Sequence, residues 1–394
     1  MSEPILLLGA TGSIGIQTME ILRFSPDYQL VGVSLNSHYE KLEPFLLYFD
    51  TLKFVAISDE AKAEEFRLRH PSLTVLSGED SSLKLLKKVK QGTVFNALMG
   101  NCGLRPSLLA IRQNQDLLLC NKESIVIGSE LLKKALKTSS SHLYPVDSEH
   151  VGIAKILAEL KKRGVEKKDI LKIIVTASGG SLRDMSSTQL PFVTPAQVLH
   201  HPTWLMGSKI TVDSATLVNK GYEVIEASYL FSYPLSQVGA IICRESLVHA
   251  EAIYRWKGRR KTMVEYSPCS MQVAIAYALS KGRLEIHHNS KDDLRDIQSL
   301  HFAEIDHSFY PCFDLTIRMS EKYGNIGMIY YNAVDTKAID AFLKGKIPFL
   351  GIHQALMRAF ETMPKTNNLS ERNLKQIIAD ASDFADNIIQ KEFI

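Results

Sequence analysis

Over its first 147 residues the chain alternates short apolar runs with segments of helix length, and no other feature constrains the fold as strongly. Ile5 to Leu8, Leu30 to Leu35, Phe54 to Ile57, Leu73 to Leu76, Val94 to Leu98 and Leu117 to Cys120 read as strands. Strands that alternate with amphipathic segments are the pattern of a parallel sheet wrapped by helices, an α/β class. The tail from about Pro311 follows a different rule. Leu374, Ile377, Ile378, Ala381, Phe384, Ala385 and Ile388 keep the 3.6-residue period of a helix buried on one face, as a small bundle requires.

The turn after the first run, Gly9-Ala10-Thr11-Gly12-Ser13-Ile14-Gly15, precedes a helix carrying Ile16, Met19, Ile21 and Leu22. Glycines let a backbone approach a pyrophosphate, while the amides and dipole of a helix start hold the anion. The spacing is GxxGxxG and not GxGxxG. Because strand, glycines and helix coincide, the dinucleotide reading ranks above a plain strand-to-helix turn. An acid at the end of the second strand would grip the ribose diol of NAD. Leu35-Asn36-Ser37-His38 stand there instead, with no carboxylate to repel a 2′-phosphate, which favours NADPH.

Composition excludes several classes. A net charge of +3 and an apolar fraction of 45% describe a globular chain without the field of a nucleic-acid binder. Five scattered cysteines without a CxxC pair fit reduced thiols, read as small core residues. No apolar run is long enough to span a bilayer and no signal peptide is visible, so a cytoplasmic protein is expected.

The candidate chemistry centres on Tyr144-Pro145-Val146-Asp147-Ser148-Glu149-His150. If the run from Leu143 is a strand, Asp147 and Glu149 project to one side and converge on a hard cation, Mg²⁺ or Mn²⁺, with Ser148 beside them. Alternatively, Asp147 or Ser148 caps the helix that Val151, Ala154, Ile156, Leu157 and Leu160 suggest. Asn121-Lys122-Glu123-Ser124 follows a strand end, where Lys122 either orients a substrate or pairs with Glu123 on the surface. Thr176-Ala177-Ser178-Gly179-Gly180-Ser181 is a small-residue turn whose amides can wrap a phosphate. His200-His201-Pro202-Thr203-Trp204-Leu205-Met206-Gly207 reads as a loop that closes on a ligand or as an aromatic anchor. Asp213 to Ala227 reads as one helix opened by an Asp or Ser cap, with Asn219, Lys220 and Glu223 on a shared face and Glu226 solvated.

Six motifs, GATGSIG, NKES, PVDSEH, TASGG, HPTWLMG and DSATLVNKGYEVIEA, occur in one order and at one spacing. In this the chain closely resembles the 1-deoxy-D-xylulose 5-phosphate reductoisomerase family, from Ile5 through Tyr310-Pro311-Cys312 and more weakly to the C-terminus. The resemblance implies an N-terminal Rossmann-like NADPH-binding domain (1–147), a central α/β catalytic domain (148–282), a linker (283–309) and a C-terminal helical bundle (310–394), as a homodimer. It implies that Thr11, Gly12, Ser13 and Ile14 bind the NADPH phosphates, with Asn121, Glu123 and Gly207 near the cofactor. Asp147, Glu149 and Glu223 match the metal carboxylates. Lys122, Ser148, Ser178, His201, Ser214, Asn219 and Lys220 match substrate contacts, Trp204 and Met206 a closing loop, and Met271 a methionine of the substrate pocket. The implied reaction is the rearrangement and NADPH-dependent reduction of 1-deoxy-D-xylulose 5-phosphate to 2-C-methyl-D-erythritol 4-phosphate. Ser181-Leu182, where the family usually has Pro-Phe, and Ser267 to Met271, where it has Pro-Asp-Met, depart from the pattern. A semialdehyde or homoserine dehydrogenase can share the glycine turn but would not need three carboxylates beside a phosphate-binding helix. A non-catalytic NADPH sensor on the same fold would be expected to lack Asp147, Glu149 or Glu223.

Overall fold

The structure is a computed structural model that describes residues 2–283, 299–366 and 368–393. The expected linker falls largely on 284–298 and to that extent lies outside the described residues. The chain divides into two compact units, Met1–Asp147 with Met271–Ile286, and Ser148–Ser270 with His287–Ile394.

In the first unit the apolar runs form strands β1 (Glu3–Leu8), β2 (Tyr28–Leu35), β3 (Phe54–Ile57), β4 (Thr74–Ser77), β5 (Thr93–Asn96), β6 (Asp116–Leu119) and β7 (Leu143–Pro145). They pair in the order β4-β3-β2-β1-β5-β6-β7, parallel throughout. Helices α1 (Ser13–Leu22), α2 (Glu60–Arg69), α3 (Ser81–Lys88), α4 (Leu104–Arg112) and α5 (Lys122–Leu136) connect them, and α10 (Met271–Leu279) joins from later in the chain. A parallel sheet covered on both faces needs strands that are apolar without alternation, and Ile5, Leu6, Leu7 and Leu8 are all buried. Ile5, Leu7, Val33, Ile57, Phe95 and Leu118 meet Met19 and Phe66 in one core. The strand order reverses between β1 and β5, and in open α/β sheets ligands bind at the strand ends beside such a reversal.

The second unit has a five-stranded sheet, β11-β10-β8-β9-β12, built from β8 (Ile170–Ala177), β9 (Val238–Cys243), β10 (Val248–Trp256), β11 (Arg259–Tyr266) and β12 (Phe302–Ala303). Only β8 and β9 are parallel neighbours. Around it lie α6 (Ser148–Lys162), α7 (Pro195–Leu199), α8 (Ser208–Thr216) and α9 (Val218–Phe231). The C-terminal run forms α11 (Pro311–Leu343), α12 (Phe349–Glu361) and α13 (Leu374–Phe393), with Leu374, Ile377, Ala381, Ala385 and Ile388 buried as their period requires. α11 packs on α12, α13, α8 and α9.

Two expectations are corrected. Cys243 and Cys312 are buried, but Cys102 is exposed; its thiol donates to the Met99 carbonyl at a turn and fills no core position. Asp213 to Ala227 is not one helix. α8 ends at Thr216, Leu217 takes a left-handed conformation (φ 58°), and α9 starts at Val218, so Asp213 and Ser214 lie in the last turns of α8 and cap nothing. No helix among the described residues is long and apolar enough to cross a membrane.

Candidate active site

In the first unit the glycine turn sits at the carboxyl end of β1. The amides of Gly9 and Ala10 both donate to the Ser34 carbonyl, at 2.9 and 2.8 Å. Gly9 has φ +83°, and a Cβ there would overlap the Ala97 carbonyl that follows β5. A Cβ on Gly15 would overlap the carbonyls of Gly9 and Ala10. The turn is therefore wedged at the sheet's reversal point, with Thr11 and Gly12 leading into α1, which Ser13 and Ile14 open. No side chain caps that helix at Gly12, which leaves its first-turn amides suited to an anion. β2 does end at Leu35, so Asn36, Ser37 and His38 follow it.

Asn121 caps α5. Its side chain accepts from the Ser124 amide at 3.1 Å and donates to the Gly100 carbonyl at 3.0 Å and to Glu123 at 2.9 Å. Capping fixes the start of this helix and so aims Lys122, which is buried and pairs with Asp147 at 2.6 Å. The surface reading of Lys122 is thereby corrected: burial needs a partner, and Asp147 supplies it.

Strand alternation is not what brings Asp147 and Glu149 together. β7 stops at Pro145, Ser148 begins α6, and Glu149 lies in its first turn. Asp147, the last residue of the first unit, is held beside that turn by a single intervening residue. One oxygen each of Asp147, Glu149 and Glu223 lie within 4.8 Å of one another. Ser148 donates to Glu149 at 2.5 Å. Lys220 pairs with Glu149 at 2.7 Å and closely with Glu223, to which Asn219 also donates at 2.5 Å. Burial presses the Lys220 ammonium toward neutrality, but the two carboxylates outweigh it and its pKa stands above the ordinary lysine value. Three hard oxygen donors that already gather positive charge suit Mg²⁺ or Mn²⁺.

Glu226, expected in solvent, is 1% exposed and corrected accordingly. α9 is buried along most of its length, so one more turn places Glu226 inside, 3.5 Å from His150 Nδ1. The other nitrogen of His150 lies 3.0 Å from the Glu223 carbonyl, linking α6 to α9 beneath the carboxylates.

The turn after β8 forms a second cluster. Gly179 and Gly180 both have positive φ, 86° and 72°, and a Cβ on Gly180 would overlap the backbone of Ser214 and Ala215. Tyr310 donates to the Gly179 carbonyl at 2.9 Å. His201 Nε2 lies 3.1 Å from Ser178 Oγ and 3.4 Å from Ser214 Oγ. Its Nδ1 accepts from the amides of Thr203 and Trp204 at 3.2 and 3.0 Å, so the neutral ring carries its proton on Nε2 and points it at the serines. Burial, assisted by the Arg183 charge, lowers the His201 pKa to about 4. The Trp204 ring meets His249 edge-on with centroids 6.3 Å apart, Met206 is half-buried, and Gly207 leads into α8. Met271 opens α10 and packs on the first unit's core.

Two groups were not legible in advance. Lys209 bridges the buried Asp213 and Asp335 at 2.7 and 2.6 Å, tying α8 to α11. Arg183 donates to the carbonyls of Ser178 and Arg244 at 2.8 and 2.7 Å. A charged residue inside an apolar stretch, as Asp213 is after Ile210-Thr211-Val212, is the signal that would have pointed to the first.

Three family models match the chain: 1-deoxy-D-xylulose 5-phosphate reductoisomerase over 5–129, its C-terminal domain over 143–231, and the DXP reductoisomerase C-terminal domain over 266–384. The 1-deoxy-D-xylulose 5-phosphate reductoisomerase of Bacillus subtilis is 35% identical over 98% of this chain and 99% of its own length. That of Thermotoga maritima is 38% identical over 91% and 89%. A crystal structure of DOX-P reductoisomerase in complex with NADPH, fosmidomycin and magnesium superposes with a TM-score of 0.88 at 27% identity, covering 100% of both chains. The Zymomonas mobilis enzyme in complex with NADPH gives 0.87 at 26% identity, covering 99% and 100%. The motifs, the two-unit architecture and these matches along almost the whole sequence agree: the chain belongs to the 1-deoxy-D-xylulose 5-phosphate reductoisomerase family.

Proposed function

We propose that this chain converts 1-deoxy-D-xylulose 5-phosphate to 2-C-methyl-D-erythritol 4-phosphate, using NADPH and a divalent metal ion, in the non-mevalonate route to isoprenoids. The observation that carries this reading is the set of three carboxylates within 4.8 Å, two of them sharing one lysine ammonium, in a chain with a glycine turn at the reversal point of its parallel sheet.

Residues 1–147 serve as the NADPH domain and 148–282 as the catalytic domain, although α10 within that range packs on the first unit's core; 283–309 serve as a linker whose Phe302–Ala303 pairs with β9, and 310–394 as a helical domain. A cytoplasmic homodimer is proposed on the resemblance. Thr11, Gly12, Ser13 and Ile14 take the cofactor phosphates at the α1 start, with Asn121, Glu123 and Gly207 along the cofactor. Asp147, Glu149 and Glu223 hold Mg²⁺ or Mn²⁺, which when bound polarises the substrate's ketone and neighbouring hydroxyl.

The remaining steps belong to side chains. Ser178, Ser214 and His201 Nε2–H donate to the phosphate, which lies far from the reacting carbons and supplies binding and orientation. Asn219 and Lys220, now engaged with the carboxylates, turn their donors to the substrate. Lys122 and Ser148 orient its hydroxyls. Trp204 and Met206 exclude water while the carbon skeleton rearranges and the aldehyde is reduced.

The decisive assay follows loss of the NADPH absorbance with deoxyxylulose phosphate, with and without Mg²⁺ or Mn²⁺. Metal-dependent oxidation is expected. Turnover that persists in the presence of a chelator would reject the carboxylate assignment, and NADPH binding without any turnover would favour a sensor.

A further inference from the structure

We infer that Arg183 is a positioning residue for the substrate's phosphate, clamping the Ser178 turn and supplying the fixed positive charge that the turn's neutral donors lack. The inference rests on the Ser178 turn being the phosphate site. The clamp is visible in the hydrogen bonds. Arg183 Nη1 joins the Ser178 carbonyl, at the head of the turn, to the Arg244 carbonyl beyond β9. The arginine stem crosses Gly179 so closely that a Cβ there would lie 3.0 Å from Arg183 Cβ and 3.3 Å from its Cδ. Turn and clamp are therefore one packed unit.

Arg183 also carries a charge that its surroundings balance poorly. Asp184, the nearest acid in sequence, bonds closely with Arg244 and reaches Arg183 Nε only at 3.8 Å. Glu245 pairs with His301 at 2.6 Å. The Arg183 side chain is 14% exposed, and its Nε is buried without a hydrogen-bond partner. Its guanidinium is thus weakly balanced by the neighbouring acids, although burial and the charge of Arg244 both oppose it. A buried, underbalanced cation beside neutral hydroxyls and a neutral histidine favours an anion there, and guanidinium keeps its proton under such conditions. Lys220 sits with Glu149 and Glu223, whereas Arg183 is hydrogen-bonded to the Ser178 turn itself.

The test uses full-length Arg183→Gln and Arg183→Lys. Three quantities are read: the His201 ring pKa by NMR, affinity for inorganic phosphate as the probe, and KM against kcat for deoxyxylulose phosphate. Arg183→Gln is expected to raise the His201 pKa, weaken phosphate roughly tenfold and raise KM by a similar factor while kcat changes less. Arg183→Lys is expected to keep His201 near its original pKa while restoring only part of the affinity, since an ammonium that took over the two carbonyls held here by Nη1 would leave no second nitrogen to face the anion. Wild-type His201 titration and phosphate affinity in Arg183→Gln would overturn the inference. So would equal impairment of both variants with His201 unmoved, which is the signature of a scaffold alone. If the wild type binds phosphate but does not turn over the sugar phosphate, the proposed reaction fails, and the phosphate and His201 comparisons still decide the role of Arg183.

Discussion

Glu149 and Glu223 share the Lys220 ammonium, and that arrangement separates what two substitutions at one position should do. Glu149→Gln keeps shape and volume but removes one of the charges offered to a metal ion. Its kcat is expected to fall by at least about a hundredfold, with NADPH affinity unchanged because the glycine turn proposed for the cofactor phosphates lies in the other unit. Fluorescence titration of NADPH checks the second half, and lost cofactor affinity would contradict the assignment of the site. His201 gives a proton-linked prediction. Its folded pKa, about 4, is below the ordinary 6.5, so the unfolded chain binds the proton more readily between those values. The stability it contributes is complete above pH 6.5 and is lost as pH falls toward 4. His201→Gln should therefore lose less Tm over that interval than the wild type. The half-buried ring is partly screened, which keeps the effect modest. Equal losses would mean that the ring already titrates normally.

At the scale of elements, the first unit is legible almost strand for strand, because buried parallel strands are continuous apolar runs that need no partner to be recognised. The second unit was harder for a physical reason. Leu217 breaks the α8–α9 stretch with a left-handed conformation that leucine rarely adopts, and no glycine marks the place. The break is imposed by packing, since Leu217 is buried in the core formed by β8, α6 and α9. Glu226 departs from expectation for a related reason: Lys–Glu spacing looks like a surface helix, and only the tertiary placement of α9 reverses that. The double glycine was legible as a turn, but its second member is fixed by something sequence does not display, the backbone of α8 against it. Gly180→Ala should consequently cost roughly 1–3 kcal/mol of stability and displace Ser178 from Ser214. Chemical denaturation measures the first effect and KM for the sugar phosphate the second. An alanine variant with wild-type values in both would mean that the turn can relax without consequence.

Across the whole chain the least legible feature is a long-range one, since Lys209, Asp213 and Asp335 come from segments that no local pattern connects. Their bridge fastens α8, which carries Ser214, to α11 at the head of the C-terminal helices. Two carboxylates share one ammonium, and one oxygen of each is buried without a hydrogen-bond partner. Buried Cys312 and Tyr331 lie near enough to feel both acids, and they offer no further positive charge. Burial, and then the charge of Asp335, raise the Asp213 pKa from 3.8 to about 7, with Lys209 pulling the other way. The sign follows from which state holds the proton. Between those two values the folded chain keeps a proton that the unfolded chain has released, so stability from this group is complete below about pH 4 and is lost as pH rises through about 7. Asp213→Asn keeps the size and removes the titration, leaving Lys209 paired with Asp335. The Tm of the wild type minus that of Asp213→Asn should decline between pH 4 and 7 and then level off. Asp335→Asn should shift or abolish that decline, because it removes the neighbouring charge that pushes Asp213 upward. A difference in Tm that stays constant across the range would show Asp213 to be ionised throughout, with the lysine alone balancing both acids.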